Sequence, residues 1–124
     1  MEGTIHLGEV EWRIKANALT PFHYKNQFNS DILKDTLRAI GDIEGIMQLS
    51  EAKNANDYKK LQTLIDHFDT MTIYQLLWSF VKTADKNVKP FYDWLEEIDY
   101  MPVTDLLLND DFTRLLVGNI HRKK

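Results

Sequence analysis

The residues that could bind a metal ion in this 124-residue sequence include four histidines, namely His6, His23, His67 and His121. No two of them stand four residues apart, and the sequence has no H-E-x-x-H motif. The most suggestive cluster is Asp66-His67-Phe68-Asp69, but neighbouring residues on a helix point in different directions. Because a metal ion needs three or four converging ligands, we predict no metal site and no cofactor.

Two pairs of adjacent acids, Glu96-Glu97 and Asp110-Asp111, could serve general acid–base catalysis. Adjacent acids are more often solvated or placed near a helix N-terminus, where the helix dipole favours negative charge. The serines have no histidine nearby in sequence, the five glycines are scattered, and there is no cysteine. We therefore predict that the protein is not an enzyme.

Charge is unevenly distributed around the formal net value of −4. Residues 93–111 contain seven acids and no Lys or Arg. The plainer interpretation is a solvated face, and the sharper one is an acidic docking surface for a basic partner. Tryptophan is enriched among interface anchors, and acidic surroundings disfavour nucleic acid. The predicted partner-binding residues are Trp94, Glu96, Glu97 and Asp99.

The first element that could position these residues is a β-hairpin. Residues 4–7 and 10–15 alternate between apolar and polar side chains, with Gly8-Glu9 between them as a tight turn. Val10, Trp12 and Ile14 share one face. That face must lie on helices, because an isolated hairpin is only marginally stable in water.

Helical periodicity covers most of the remaining sequence. Residues 58–68 predict an amphipathic helix, and residues 73–81 are apolar around most of the helix circumference. The second segment is predicted to be the central helix, with Leu77 and Trp78 in the core. Predicted helix starts are marked by Thr20 with Pro21, Ser30, Thr72 with Gln75, Pro90 and Thr104, and predicted ends by Gly41 and Gly118.

These patterns predict an α+β fold that is predominantly helical, with an N-terminal β-hairpin packed on a bundle of about five or six helices. The length suits a single domain over residues 1–124. Its parts are a hairpin at about 4–16, a helical body at about 20–117 and a short basic C-terminal tail. The sequence shows no signal peptide and no apolar stretch of membrane-spanning length, so we predict a cytoplasmic protein without membrane contact.

Two stretches carry a resemblance to a known family. The first is residues 20–35, TPFHYKNQFNSDILKD, and the second is residues 76–85, LLWSFVKTAD, followed by residues 90–96, PFYDWLE. They resemble the small tail assembly chaperones that long-tailed phages of Gram-positive hosts encode just before the tape-measure gene. Where that family usually has glycine, this sequence has Asn29, which tolerates a left-handed backbone better than most residues.

The resemblance implies a chaperone that binds the tape-measure protein and helps to recruit tail-tube subunits, in the bacterial cytoplasm and absent from the mature virion. It also suits a homo-oligomer, since many weak sites along a rod gain from multivalency. Two alternatives stay open. One is a structural head–tail connector or another virion protein, and the other is a small enzyme or nucleic-acid-binding regulator.

Overall fold

The computed structural model describes residues 1–49, 59, 62–63, 69–99 and 103–118. The elements in this part are strands β1 (Glu2–Leu7) and β2 (Val10–Lys15) and helices α1 (Thr20–Phe28), α2 (Ile32–Leu49), α3 (Thr70–Ala84), α4 (Phe91–Glu96), α5 (Val103–Leu108) and α6 (Asp110–Gly118). They confirm the predicted α+β class, predominantly helical, with an N-terminal hairpin packed on helices. The predicted basic tail and most of the predicted amphipathic helix at 58–68 lie outside the described residues.

The hairpin is antiparallel and has the predicted turn. Leu7 pairs with Val10 and Ile5 pairs with Trp12, so all four side chains share one face. Gly8 has a φ of 66°, the left-handed value that two-residue hairpin loops led by glycine require. Ile5 and Leu7 are buried, which shows that this face packs on the helical body.

Helix α1 begins at Thr20, which was predicted to precede it as its cap. The Thr20 hydroxyl instead accepts a hydrogen bond from the Asn17 backbone N–H (3.1 Å) and bonds to the Thr83 hydroxyl (2.8 Å) on α3. Asn29 ends the helix in the left-handed conformation (φ 53°, ψ 37°), with its N–H donated to the Lys25 carbonyl. The predicted tolerance of Asn29 for this turn is confirmed.

Helix α2 differs from its prediction at both ends. The Asp31 side chain accepts a hydrogen bond from the Leu33 backbone N–H (2.8 Å), so Asp31 caps the helix in place of Ser30. The helix continues through Gly41 to Leu49. An isolated glycine lowers helix propensity without ending a helix, and so the predicted helix end at Gly41 is wrong.

The central helix α3 is placed as predicted but capped differently. Leu77 and Trp78 are 0% and 3% exposed, which confirms both as core residues. Asp69 is the N-cap, and its carboxylate accepts from the backbone N–H groups of Met71 and Thr72. The predicted capping box of Thr72 with Gln75 is therefore wrong, because the helix starts two residues earlier.

The last part of the chain forms two helices where one was predicted from Thr104. Helix α5 begins at Val103, and Asn109 separates it from α6. The Asn109 side chain accepts from the Phe112 backbone N–H (2.8 Å) and thereby caps α6. Helix α6 packs on β1, where Asp111 accepts a hydrogen bond from the Thr4 backbone N–H (2.9 Å).

Candidate functional site

A groove lies between the tip of the hairpin and the end of α4. It has a volume of about 340 Å³. Its lining residues are Leu7, Gly8, Glu9, Val10, Trp12, Glu97, Ile98 and Asp99, and we call it the acidic groove. Three of them are carboxylates, none is Lys or Arg, and the rest are apolar apart from Gly8. This combination suits a partner that offers an apolar anchor flanked by positive charge.

The hairpin supplies one wall of the acidic groove. Strand alternation brings Leu7 and Trp12 to the inner face, and the tight turn at Gly8 places Glu9 at the tip. Val10 is paired with Leu7 but is 54% exposed, so an apolar side chain faces solvent at the mouth of the groove. The sequence did not predict this wall, because no local pattern indicates that residues 7–12 lie beside residues 97–99.

The opposite wall is made where α4 ends. The Glu97 backbone N–H donates to the Trp94 carbonyl (3.1 Å), and the Ile98 N–H donates to the Leu95 carbonyl (3.1 Å). These bonds continue a tight turn past the last helical residue. The turn puts Glu97, half-buried Ile98 and exposed Asp99 side by side along the groove.

Two tryptophans support the groove from below. The rings of Trp12 and Trp94 meet edge to face, with centroids 5.8 Å apart and planes at 78°. Both indole Nε1 atoms are buried and have no hydrogen-bond partner among the described residues. A buried unpaired donor is unfavourable, so the packing of the two rings must offset that cost.

Trp94 does not lie where the sequence placed it. It is 0% exposed and belongs to the hydrophobic core, so in this structure it has no surface to share with a partner. This corrects its assignment as an interface residue. The apolar periodicity of α4 indicates a core position for Trp94, whereas the neighbouring acids favoured a surface position. Trp12, which lines the groove, is the ring that a ligand could reach.

The three predicted acids are all exposed. Glu97 and Asp99 line the acidic groove, whereas Glu96 lies outside its lining. Lys89 donates a hydrogen bond to Glu97, a contact that the lysine-free run of residues 93–111 did not suggest. The hydrogen bond and charge of Glu97, followed by the charges of Asp93 and Glu96, raise the pKa of the Lys89 ammonium. Glu97, Asp93 and Glu96 thus all favour the charged form of Lys89.

The far end of the acidic run has structural roles. Asp111 accepts from the Thr4 backbone and forms an ion pair with Arg114 (3.1 Å). A Cβ atom added at Gly3 would lie 2.6 Å from the Asp111 side chain, so the strand and this carboxylate approach closely. Asp111 therefore fixes β1 to α6 and is not free to bind a partner.

A second group of polar side chains is buried between α1, α2 and α3. The Asp35 carboxylate accepts from the Tyr24 hydroxyl (2.7 Å) and from the Ser30 hydroxyl (2.7 Å). Burial, followed by the hydrogen bond to Asp35, raises the pKa of Tyr24. Among the described residues, no histidine takes part in these bonds. The network joins α1 to α2 through the Tyr24 and Asp35 side chains.

The cluster of possible metal ligands at residues 66–69 is described only in part. Of residues 66–69, only Asp69 is described, and it caps α3 and lies 3.7 Å from Arg38. Within the described residues, no group of three or more His, Cys, Asp or Glu side chains could hold a metal ion. In the same part of the chain, no helix is long and apolar enough to cross a membrane.

Comparisons with protein-family models, curated proteins and solved structures find no match to this chain.

Proposed function

We propose that this protein is a tail assembly chaperone of a long-tailed phage or prophage, which binds the tape-measure protein and helps to recruit tail-tube subunits without catalysis. Support comes from the resemblance carried by residues 20–35, 76–85 and 90–96. The structural observation behind the proposal is the acidic groove, with carboxylates of Glu9, Glu97 and Asp99 around an apolar floor.

The groove suits a helical segment with a basic flank. Its volume of about 340 Å³ has room for a few side chains, so one apolar anchor would enter while the helix lay across the mouth. Lysine or arginine beside the anchor would meet the carboxylates of Glu9 and Asp99. Such charge pairing speeds association and selects the register of the partner more than it adds affinity.

Weak individual sites fit the proposed task. A tape-measure protein is long and helical, so many chaperone molecules bind along it at once. If the chaperone forms a homo-oligomer, the linked sites raise the overall affinity with no new contact. A modest groove that releases its ligand also suits a protein that acts in the bacterial cytoplasm and leaves before the virion is complete.

Co-expression tests the proposal. The tape-measure protein from the same gene cluster is produced in bacteria alone or with this protein, and the soluble fraction is measured. We expect the tape-measure protein to become soluble and to co-purify with this protein. A tape-measure protein that stays insoluble and uncomplexed at equal expression levels would contradict the proposal.

The composition of purified virions separates the chaperone from a head–tail connector. Mass spectrometry should detect this protein in induced cells and not in washed particles. A fixed stoichiometric copy number in the particles would identify a structural virion protein.

A further inference from the structure

A second cavity lies between α1, α3 and the loop that follows α3, and its charge is opposite to that of the acidic groove. Its volume is about 210 Å³. It is lined by His23, Asn26, Gln27, Trp78, Lys82, Val88 and Pro90, and we call it the basic cavity. No carboxylate is among these residues.

The positive charge of the basic cavity comes from α3 and the turn after it. The Lys82 ammonium donates one hydrogen bond to the Lys86 carbonyl (2.7 Å), which holds the ammonium in place. Two of its three N–H donors remain for another acceptor. Within the part of the chain that the structure describes, neither Lys82 nor Lys86 forms an ion pair.

The surroundings of His23 disfavour the protonated imidazole. Burial is the main cause that lowers the pKa of its imidazole, and the charges of Lys82 and Lys86 lower it further. A bound anion would counter the positive charges of both lysines and would favour the protonated imidazole of His23. The protonated ring donates from both of its nitrogens.

The remaining lining residues complete an ion-sized site. Asn26 and Gln27 carry amide groups that can donate hydrogen bonds. The Trp78 indole N–H is already donated to the Lys89 carbonyl (2.9 Å), so the ring serves as a fixed wall. The volume is below the roughly 300 Å³ at which drug-sized ligand pockets begin, which favours a single small group.

We propose that the basic cavity binds one oxyanionic group, a carboxylate or a phosphate, with Lys82 and His23 as its charged contacts and Asn26 and Gln27 as hydrogen-bond donors. This site is separate from the acidic groove and does not depend on the chaperone role.

Nuclear magnetic resonance of the His23 imidazole provides the test. Its pKa is measured in the full-length protein with increasing sodium phosphate or sodium acetate, and sodium chloride keeps the ionic strength constant. The His23 signal is assigned by its loss in His23→Gln. We expect a saturable rise in the pKa of His23. A response to phosphate alone identifies a phosphate site, and a response to acetate identifies a carboxylate site.

Lysine variants show whether the response arises in this cavity. Lys82→Gln should weaken anion binding about tenfold, the usual effect of losing one charge-assisted hydrogen bond. Lys34→Gln is the matched control, because Lys34 is exposed on α2 and does not line the cavity. If Lys82→Gln fails to fold, Lys86→Gln provides the second variant and should also weaken binding. A pKa of His23 that follows only ionic strength, or equal losses in Lys82→Gln and Lys34→Gln, would overturn the proposal.

Discussion

The rings of Trp12 and Trp94 pack edge to face, with 5.8 Å between their centroids and 78° between their planes. Trp12 lies on the hairpin and lines the acidic groove, whereas Trp94 lies on α4 within the core. The two indoles therefore connect the groove to the interior of the protein. Neither indole N–H has a partner among the described residues, which makes this contact depend on ring packing alone.

Replacement of tryptophan by phenylalanine should cost less at position 94 than at position 78. Both rings are buried, but Trp78 donates its indole N–H to the Lys89 carbonyl (2.9 Å), while the Trp94 N–H is unpaired. Trp78→Phe loses a hydrogen bond, and Trp94→Phe removes an unsatisfied donor. We expect the two free energies of unfolding to differ by about 1–3 kcal/mol.

Urea denaturation of both variants measures this difference. Trp78→Ala serves as a reference for complete loss of a large buried ring and should cost about 3–5 kcal/mol. Equal losses for Trp94→Phe and Trp78→Phe would contradict the assignment of the Trp94 indole as unpaired.

Tyr24→Phe should destabilise the protein, because the buried carboxylate of Asp35 would lose one of its hydrogen-bond donors. The hydrogen bond joins Tyr24 and Asp35 at 2.7 Å, and a bond to a charged group contributes about 1.5–3 kcal/mol. Tyr92→Phe is the matched control, since Tyr92 is 68% exposed and should change stability little. Thermal and urea unfolding of the two variants at neutral pH provide the comparison.

The same tyrosine predicts a loss of stability at alkaline pH. The pKa of folded Tyr24 is raised above the ordinary value of 10.0, chiefly by burial. Below pH 10 the group is protonated in both states, and its contribution is complete. Above pH 10 the unfolded chain ionises while the folded chain does not, so stability falls as pH rises. Wild-type protein should lose stability more steeply above pH 10 than Tyr24→Phe, and parallel curves would contradict this.

Gly41→Ala should stabilise the protein. Gly41 lies within α2, and a Cβ atom added there meets nothing within 4 Å. Alanine is favoured over glycine in a helix interior by about 0.5–1 kcal/mol. If α2 ended at Gly41, as the sequence suggested, alanine would destabilise that end. The sign of the change in melting temperature therefore separates a continuous helix from two short ones.

Periodicity was sufficient to predict the hairpin and the central helix. Alternation over residues 10–15 marks a strand whose inner face holds Trp12 and Ile14, and the apolar run at 73–81 marks a helix in the core. Boundaries were harder, because several residue types can cap a helix. The sequence predicted Thr72 as the start of α3, whereas in the structure the Asp69 carboxylate accepts from the free N–H groups.

Only one wall of the acidic groove could be predicted from the sequence. A run of acids and a tryptophan are visible in residues 93–99, but Trp94 follows the apolar spacing of its helix into the core. The second wall, from Leu7 to Trp12, is about ninety positions away in sequence and comes close only through packing on the helical body. Lys89 likewise meets Glu97 across the length of α4. Such contacts leave no local pattern in a single sequence.

The carboxylates of the acidic groove carry the proposed function, and equilibrium binding to the tape-measure protein tests their role most directly. Glu9→Gln combined with Asp99→Asn removes two charges that line the groove and leaves the Lys89–Glu97 ion pair in place. Asp105→Asn combined with Asp110→Asn removes two exposed charges from the same acidic run outside the groove. Circular dichroism confirms that both double variants are folded.

The dissociation constant is measured by isothermal titration for wild-type protein and both double variants at low and moderate salt. We predict about tenfold weaker binding for the groove variant, about the effect of two surface ion pairs, and a smaller salt dependence than in wild type. The control variant should bind as wild type does. Equal affinity of all three proteins for the tape-measure protein, at both salt concentrations, would contradict the account.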